Sequence, residues 1–258
     1  MLTPSFHFPV RAIPRSSGFA LETCQLHQFA EALGNAVDAR DAATFHHSEE
    51  VAVVSQMLAR ALGQSPDQAE MIHLAGHLHD IGKIGIPDVV LKKQGPLSPE
   101  EWDWMRHHPG IGAAIVNPVD AFRRHGIADM ILCHHERFDG KGYPCRLIGA
   151  NIPLGARIIA VADTLSALLQ DRPYRQRTDL AAACAEIRRC SGTQFDPLVV
   201  LALESIMDKV KVFFNTRATV NPAHLTRSLS GAEDLGLAIA GKRIFEHVHA
   251  EVGIHGIG

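Results

Sequence analysis

The stretch SPDQAEMIHLAGHLHDIGK, running from Ser65 to Lys83, decides the fold class of this chain. Ser65 followed by Gln68 is a capping box, in which two side chains satisfy backbone N–H groups left over by the first helical turn. Pro66 takes the first helical position, where a missing N–H costs nothing and a fixed φ helps. The pattern predicts a helix running towards Asp80. Ser98 opens the same device in SPEE and predicts another helix, with Pro109 as its expected stop. Upstream, Val51, Val54, Leu58 and Leu62 follow the i, i+3, i+7, i+11 stripe of an amphipathic helix, closed by Gly63.

Further helices are predicted over Ala121 to His135, Ala156 to Gln170, Leu180 to Cys190 and Pro197 to Val212. No run of alternating β-branched residues competes with them. The expected fold class is therefore all-α, a bundle-like domain of six or more helices over residues 21–214. A loose Pro- and Ser-bearing arm is expected over residues 1–20. Residues 215–258 read as a short C-terminal appendage, in which a polar stretch leads to Leu237, Ile244 and Val248 at helical spacing and then to a Gly-rich end.

With 258 residues, 46% of them apolar and 21% charged, the chain has ample material for a core and is not a disordered protein. Its net charge of −3 excludes a global basic field for long nucleic acids or anionic membranes. Five cysteines (Cys24, Cys133, Cys145, Cys184, Cys190) are odd in number and form no C-x-x-C pair, so neither a disulfide scaffold nor a thiolate zinc site is expected. Residues 1–20 show no charged-then-apolar leader. The most apolar stretch, Ile158–Leu169, is too short to span a bilayer and carries Asp163. The expected address is cytoplasmic, with no membrane span.

Histidine is the anomaly. Of 16 in the chain, ten lie between His46 and His135 (His46, His47, His73, His77, His79, His107, His108, His125, His134, His135). His79-Asp80 alone reads as a polar pair at a helix end. Three further clusters change its weight: His108 before Pro109, His134-His135 ending an apolar helix, and Asp163 interrupting another. His47 precedes Val51 by four residues, which puts it on the core-facing stripe, where a packed core histidine and a ligand both remain open readings.

The chemistry favours a metal. A buried carboxylate is costly unless paired or metal-bound. Imidazoles with carboxylates suit Fe, Mn or Zn. One Asp can bridge two ions, typically about 3.5–4 Å apart, and such a pair polarises a phosphoryl oxygen and acidifies water. The run His134-His135-Glu136 is not H-E-x-x-H, so a zinc protease is unsupported.

Three segments, HDIGKIGIPDVVLKKQGPLSPEEW (His79 to Trp102), HPGIG (His108 to Gly112) and HHERFDGKGYP (His134 to Pro144), resemble the HD-GYP family of the HD superfamily. ADT (Ala162 to Thr164), RPYR (Arg172 to Arg175) and FDP (Phe195 to Pro197) follow in the same order. The resemblance covers roughly Asp38 to Leu203, and the HHERFDGKGYP run is its specific signature. It implies an HD-type helical bundle and hydrolysis of the bacterial second messenger cyclic di-GMP to linear pGpG, GMP or both, by a metal-bridged hydroxide. One metal would be held by His47, His79, Asp80 and Asp163, and a second by Asp80 with His108, His134 and His135. Lys83 would meet the scissile phosphate, Tyr143 would border a guanine, and Arg172 and Arg175 would receive phosphates and base edges.

The resemblance also shows two departures. Members with three metals place a Glu where this chain has Ala43, so two divalent ions, Fe or Mn, are expected. Ser166 stands where many relatives have Asp, which bears on the ligand surroundings or the substrate rim. Ser166 and the C-terminal appendage motivate one rival expectation, a catalytically weak cyclic di-GMP-binding module; a second rival is an HD-type hydrolase of another nucleotide, against which the GYP run argues. Signalling-protein partners and a homodimer are the partner expectations.

Other features have plainer readings. Gly140 and Gly142 form a tight turn, and Asp196 before Pro197 is a helix N-cap. His73 and His77, at i and i+4, are spaced to chelate a metal but match no family motif, and are expected at the surface or behind the ligands. Cys133 is a buried small residue, His107 faces solvent, and Arg137 with Lys141 form a solvated charged face.

Overall fold

The computed structural model describes residues 15–40, 46–170 and 177–219, with side chains from residue 24 to residue 216 within those ranges. The described residues form helices and connecting turns, with no β-strand among them. In chain order the helices are α1 (Arg15–Arg40), α2 (His47–Ala61), α3 (Pro66–Leu78), α4 (Asp88–Leu91), α5 (Pro99–Met105), α6 (His108–Val116), α7 (Asp120–Arg124), α8 (Ile127–Cys133), α9 (Leu154–Leu169), α10 (Leu180–Arg189), α11 (Pro197–Ser205) and α12 (Met207–Thr219). Short 3-10 turns cover Ile81–Gly85 and Gly149–Asn151. No helix among the described residues is long and apolar enough to cross a membrane.

Both capping boxes form. The Ser65 hydroxyl accepts from Gln68 N at 3.2 Å, and the Gln68 side chain accepts from Ser65 N at 3.1 Å. The Ser98 hydroxyl accepts from Glu101 N at 3.3 Å, with Glu101 Oε2 accepting from Ser98 N at 2.7 Å. α2 ends at Ala61, and Gly63 follows at φ 78°, the left-handed conformation that glycine adopts cheaply after a helix.

α2 is the axis of the bundle, packed between α3 and α9, while α3 also backs onto α1 and α8. The one-sided stripe expected for α2 is wider in the structure: Val51, Ala52, Val53, Val54, Met57, Leu58 and Ala59 are all buried. A helix surrounded by neighbours buries every apolar face, at about 1.5–3 kcal/mol for each large side chain removed from water.

Four boundaries differ from expectation. Pro109 does not terminate a helix. α5 ends at Met105, and Pro109 sits in the first turn of α6, the one part of a helix that requires no proline N–H. The predicted helix Ala121 to His135 is two, because Gly126 adopts φ 70° between α7 and α8. The predicted helix Pro197 to Val212 breaks at Ile206, and α12 runs on to Thr219, into the span expected to be appendage. α1 opens at Arg15, so residues 15–20 are helical where a loose arm was expected. The expected stripe of Leu237, Ile244 and Val248 lies outside the described residues.

The 3-10 turn Ile81–Gly85 follows α3 directly and lies against α6. A Cβ on Gly82 would fall 1.9 Å from the His108 carbonyl oxygen and 2.5 Å from Gly112 N, so only glycine lets the two backbones meet. Arg40 clamps the turn from α1, donating to Lys83 O at 2.6 Å and to Ile86 O at 2.8 Å. Substituting Gly82→Ala is expected to lower stability by about 1–3 kcal/mol through this overpacking. Gly110→Ala, exposed in α6 with nothing within 4 Å of its would-be Cβ, is expected to be neutral or to stabilise by about 0.5–1 kcal/mol. Urea unfolding midpoints of the two variants check the contrast.

Candidate metal centre

Helices leave their last carbonyls without intrahelical donors, and here three histidines supply the missing N–H groups. His79 Nδ1 donates to Gly76 O at 2.8 Å at the end of α3, His108 Nδ1 to Met105 O at 2.8 Å after α5, and His134 Nδ1 to Ile131 O at 2.7 Å at the end of α8. With the proton held at Nδ1, the basic nitrogen of each ring is Nε2. These nitrogens converge: His108 Nε2 and His134 Nε2 are 3.3 Å apart.

Asp80 lies between the rings. Its Oδ2 is 3.4 Å from His79 Nε2 and its Oδ1 is 3.3 Å from His108 Nε2, so one carboxylate faces two histidine groups. On one side His47, His79 and Asp80 bring their donor atoms within 4.8 Å of one another. On the other side His108, His134 and His135 do the same. Asp163, from α9, joins the first group through Oδ1, 3.2 Å from His47 Nε2. The structure thus brings together all seven candidate ligands.

Their protonation suits cation binding. Burial pulls the imidazoles of His108 and His134 below their ordinary range and His135 down to about 4, so these rings are neutral. Burial also works against a charged His79, but Asp80 outweighs it and holds that ring up at about 9. For both carboxylates burial opposes the charged form and is overcome. Lys83 and His79 keep Asp80 well below its ordinary value, and His47 does so for Asp163. Buried His79 Nε2 faces the Asp80 carboxylate at 3.4 Å and has no other partner, so a cation bound there would take the place of its proton. Neutral imidazoles, ionised carboxylates and that nitrogen form a donor set that fits divalent Fe, Mn or Zn.

A supporting layer lies behind the ligands, and Ser166 is part of it, on the ligand side of the two places expected for it. Ser166 Oγ lies 2.9 Å from His47 Nδ1 and donates to Glu50 Oε2 at 2.6 Å, while Gln170 Nε2 donates to the same oxygen at 2.9 Å. Ser166 therefore orients a candidate ligand. Glu136, buried, accepts from the backbone N–H groups of Cys145, Arg146 and Leu147 at 2.6, 2.9 and 3.1 Å and so shapes the loop after Tyr143. The Tyr143 ring stacks on His135, with centroids 4.9 Å apart. Beyond it, Pro99, Trp102, Asp103, Arg106 and Tyr143 line a cavity of about 300 Å³, with the Arg106 guanidinium 6.0 Å from the Tyr143 ring centre. Trp102 and Arg106 sit at i and i+4 on a capped helix, the one sequence signal that would have grouped them.

Other expectations divide. Lys83 is in the centre, its Nζ 2.7 Å from Asp80 Oδ2. Asp196 caps α11 by accepting from Leu198 N at 2.8 Å and also pairs with Arg157. Arg137, with about 34% of its side chain exposed, also pairs with Asp139 at 2.8 Å and Gln194 at 3.3 Å. His73 and His77 are neither at the surface nor behind the ligands. Both are buried on the face of α3 that meets α1, one helical face away from His79. Arg172, Arg175 and Ala43 lie outside the described residues.

Comparison with known proteins places this geometry. The HD domain family matches residues 31–199. The chain is 43% identical over 172 residues to the cyclic di-GMP phosphodiesterase response regulator RpfG of Xanthomonas campestris, covering 66% of this chain and 45% of that protein. It is 36% identical over 199 residues to a cyclic di-GMP phosphodiesterase of Thermotoga maritima (77% and 54%). It is 39% identical over 173 residues to a 3'3'-cGAMP-specific phosphodiesterase of Vibrio cholerae (67% and 33%). The chain thus spans about half or less of these relatives' length. Among solved structures, a cyclic GMP-AMP-specific phosphodiesterase of V. cholerae shares the fold at TM-score 0.56 and 19% identity, covering 71% of this chain and 49% of that one. An HDG"Y"P protein of Bdellovibrio bacteriovorus does so at TM-score 0.53 and 20% identity, covering 72% and 64%. A carboxylate held between histidines at three helix ends, on a helical region matched for most of its length, makes this chain a member of the HD domain family, in its HD-GYP branch.

Proposed function

We propose that the chain is a metal-dependent phosphodiesterase that hydrolyses cyclic di-GMP to pGpG, GMP or both, in the cytoplasm. The observation that carries this is Asp80, whose two oxygens face His79 at 3.4 Å and His108 at 3.3 Å, as a carboxylate shared by two ions would. His47, His79, Asp80 and Asp163 would hold one divalent ion, and Asp80, His108, His134 and His135 the other. When bound, two such ions polarise a phosphoryl oxygen and lower the pKa of water to the range where it attacks phosphorus near neutral pH.

The chain's own residues supply the rest. Backbone carbonyls at Gly76, Met105 and Ile131 lock three imidazoles in one tautomer, so no reorganisation is needed when donors are required. Lys83 places an ammonium beside Asp80, where negative charge gathering on a phosphoryl group would meet it. Tyr143, Trp102 and Arg106 offer aromatic faces and a guanidinium to a purine and its phosphate next to the centre. Ser166 steadies His47, which supports the catalytic reading over that of a binding module. Relatives named for 3'3'-cGAMP keep that cyclic dinucleotide as the alternative substrate.

Three outcomes are expected. Protein purified anaerobically and loaded with Fe or Mn should convert cyclic di-GMP, followed by chromatography of the nucleotides, while Asp80→Ala should lose at least about 10²–10³-fold in rate. Absence of turnover with metals confirmed present would overturn the activity, and conversion of 3'3'-cGAMP alone would overturn the substrate. Ser166→Ala should weaken metal affinity about 10–100-fold, read by chelator competition, without unfolding the chain. Tyr143→Ala should raise KM about 5–150-fold, as expected for loss of one base-stacking face, with the smaller change in kcat.

A further inference from the structure

α3 ends in the catalytic centre, and its opposite face carries a second histidine cluster. His73 and His77 lie one turn apart on α3, both buried, and His27 reaches them from α1. The ring centroids of His73 and His77 are 4.7 Å apart, those of His27 and His73 4.8 Å, and those of His27 and His77 5.8 Å. One nitrogen from each ring lies within 4.8 Å of the others, as is also true of His108, His134 and His135 in the catalytic centre.

The surroundings are those of a ligand group. Glu70, one turn before His73, meets His27 Nδ1 through Oε1 at 2.8 Å. Its other oxygen accepts from Gln56 Nε2 of α2 at 2.9 Å, which fixes the carboxylate in place. A carboxylate at Nδ1 selects the tautomer whose Nε2 is basic and raises that nitrogen's donor strength, the usual support behind a metal-bound histidine. Two histidines at i and i+4 on one helix face, joined by a third from a facing helix, make a three-nitrogen set that leaves a fourth position for water.

We propose that His27, His73 and His77 form a second metal site, separate from the catalytic centre, that binds a borderline divalent cation of the zinc class and ties α1 to α3. The donor set decides the cation: imidazole alone suits Zn, Cu or Ni, whereas the carboxylate-bearing catalytic centre also suits Fe and Mn. Tetrahedral zinc with Zn–N of about 2.0–2.1 Å needs its nitrogens about 3.4 Å apart. Binding would bring the nitrogens to that spacing, and the His27–His73 stack, now 21° between planes, would open as His27 turns about Glu70. The site's role is structural, because α1 also carries Arg40, which clamps the turn holding Asp80 and Lys83.

Zinc is the probe, and the untagged full-length chain is the material. In a chain disabled at the catalytic centre by Asp80→Ala and His134→Ala, about one zinc per chain should survive desalting and should raise the thermal midpoint, as a cation bound only by the folded state does. Adding His27→Gln, on the partly exposed helix, or His77→Gln should cut zinc affinity at least tenfold and remove the midpoint shift, with circular dichroism unchanged. In the otherwise wild-type chain, His27→Gln should lower total zinc by one equivalent and lose one component of the cobalt(II) visible spectrum. Failure of a folded, centre-disabled chain to retain zinc overturns the site, as does equal retention after both His27→Gln and His77→Gln. These readouts count metal and not turnover, so a missing phosphodiesterase activity bears on the proposed function and leaves this site to its own result.

Discussion

The centre rests on helix ends that lack hydrogen-bond donors. A helix cannot satisfy its last carbonyls internally, and burying them bare would cost each the desolvation of a polar group. In this chain Gly76, Met105 and Ile131 each accept from a histidine three residues on. One hydrogen bond thus completes the helix end, fixes the imidazole tautomer and aims Nε2 inward. Because α3, α5 and α8 finish around one point, three such rings meet there.

The second constraint is charge in a dry place. Asp80 and Asp163 sit among apolar helices, where an isolated carboxylate would take up a proton. Lys83, His79 and His47 keep them ionised. That arrangement suits a site awaiting cations, since a divalent ion neutralises the same carboxylates and relieves the same cost. The close contact of Gly82 with the His108 backbone belongs to this economy of space: it brings the two sides of Asp80 within reach of one another.

Much of the local structure was legible because its causes are local. Ser65 with Gln68 and Ser98 with Glu101 form reciprocal caps within four residues, and both appear as read. Pro109 as a helix stop and an unbroken helix from Ala121 to His135 differ from the structure for a definable reason. A proline N–H is dispensable in a first turn as well as destructive inside a helix, and a glycine's positive φ shows only when the following helix leaves in a new direction. The candidate ligands stood out through composition, spacing and resemblance. Of their supports Ser166 stood out by resemblance, but its partner Glu50 did not, because the two are 116 residues apart in sequence and no local pattern links them. His73 and His77 show the same limit. Their i, i+4 spacing was visible, but which neighbour covers that face of α3 depends on how α1 packs.

The sequence by itself determined the all-α class, the capped helix starts at Ser65 and Ser98 and the set of metal-competent side chains, because capping, periodicity and donor chemistry act within a few residues. Only the tertiary structure decided that Asp80 lies between two histidine groups, that Ser166 steadies His47, and that His27 joins His73 and His77. Those contacts join residues far apart in the chain, and they exist only where packed helices bring distant backbones within a few ångströms.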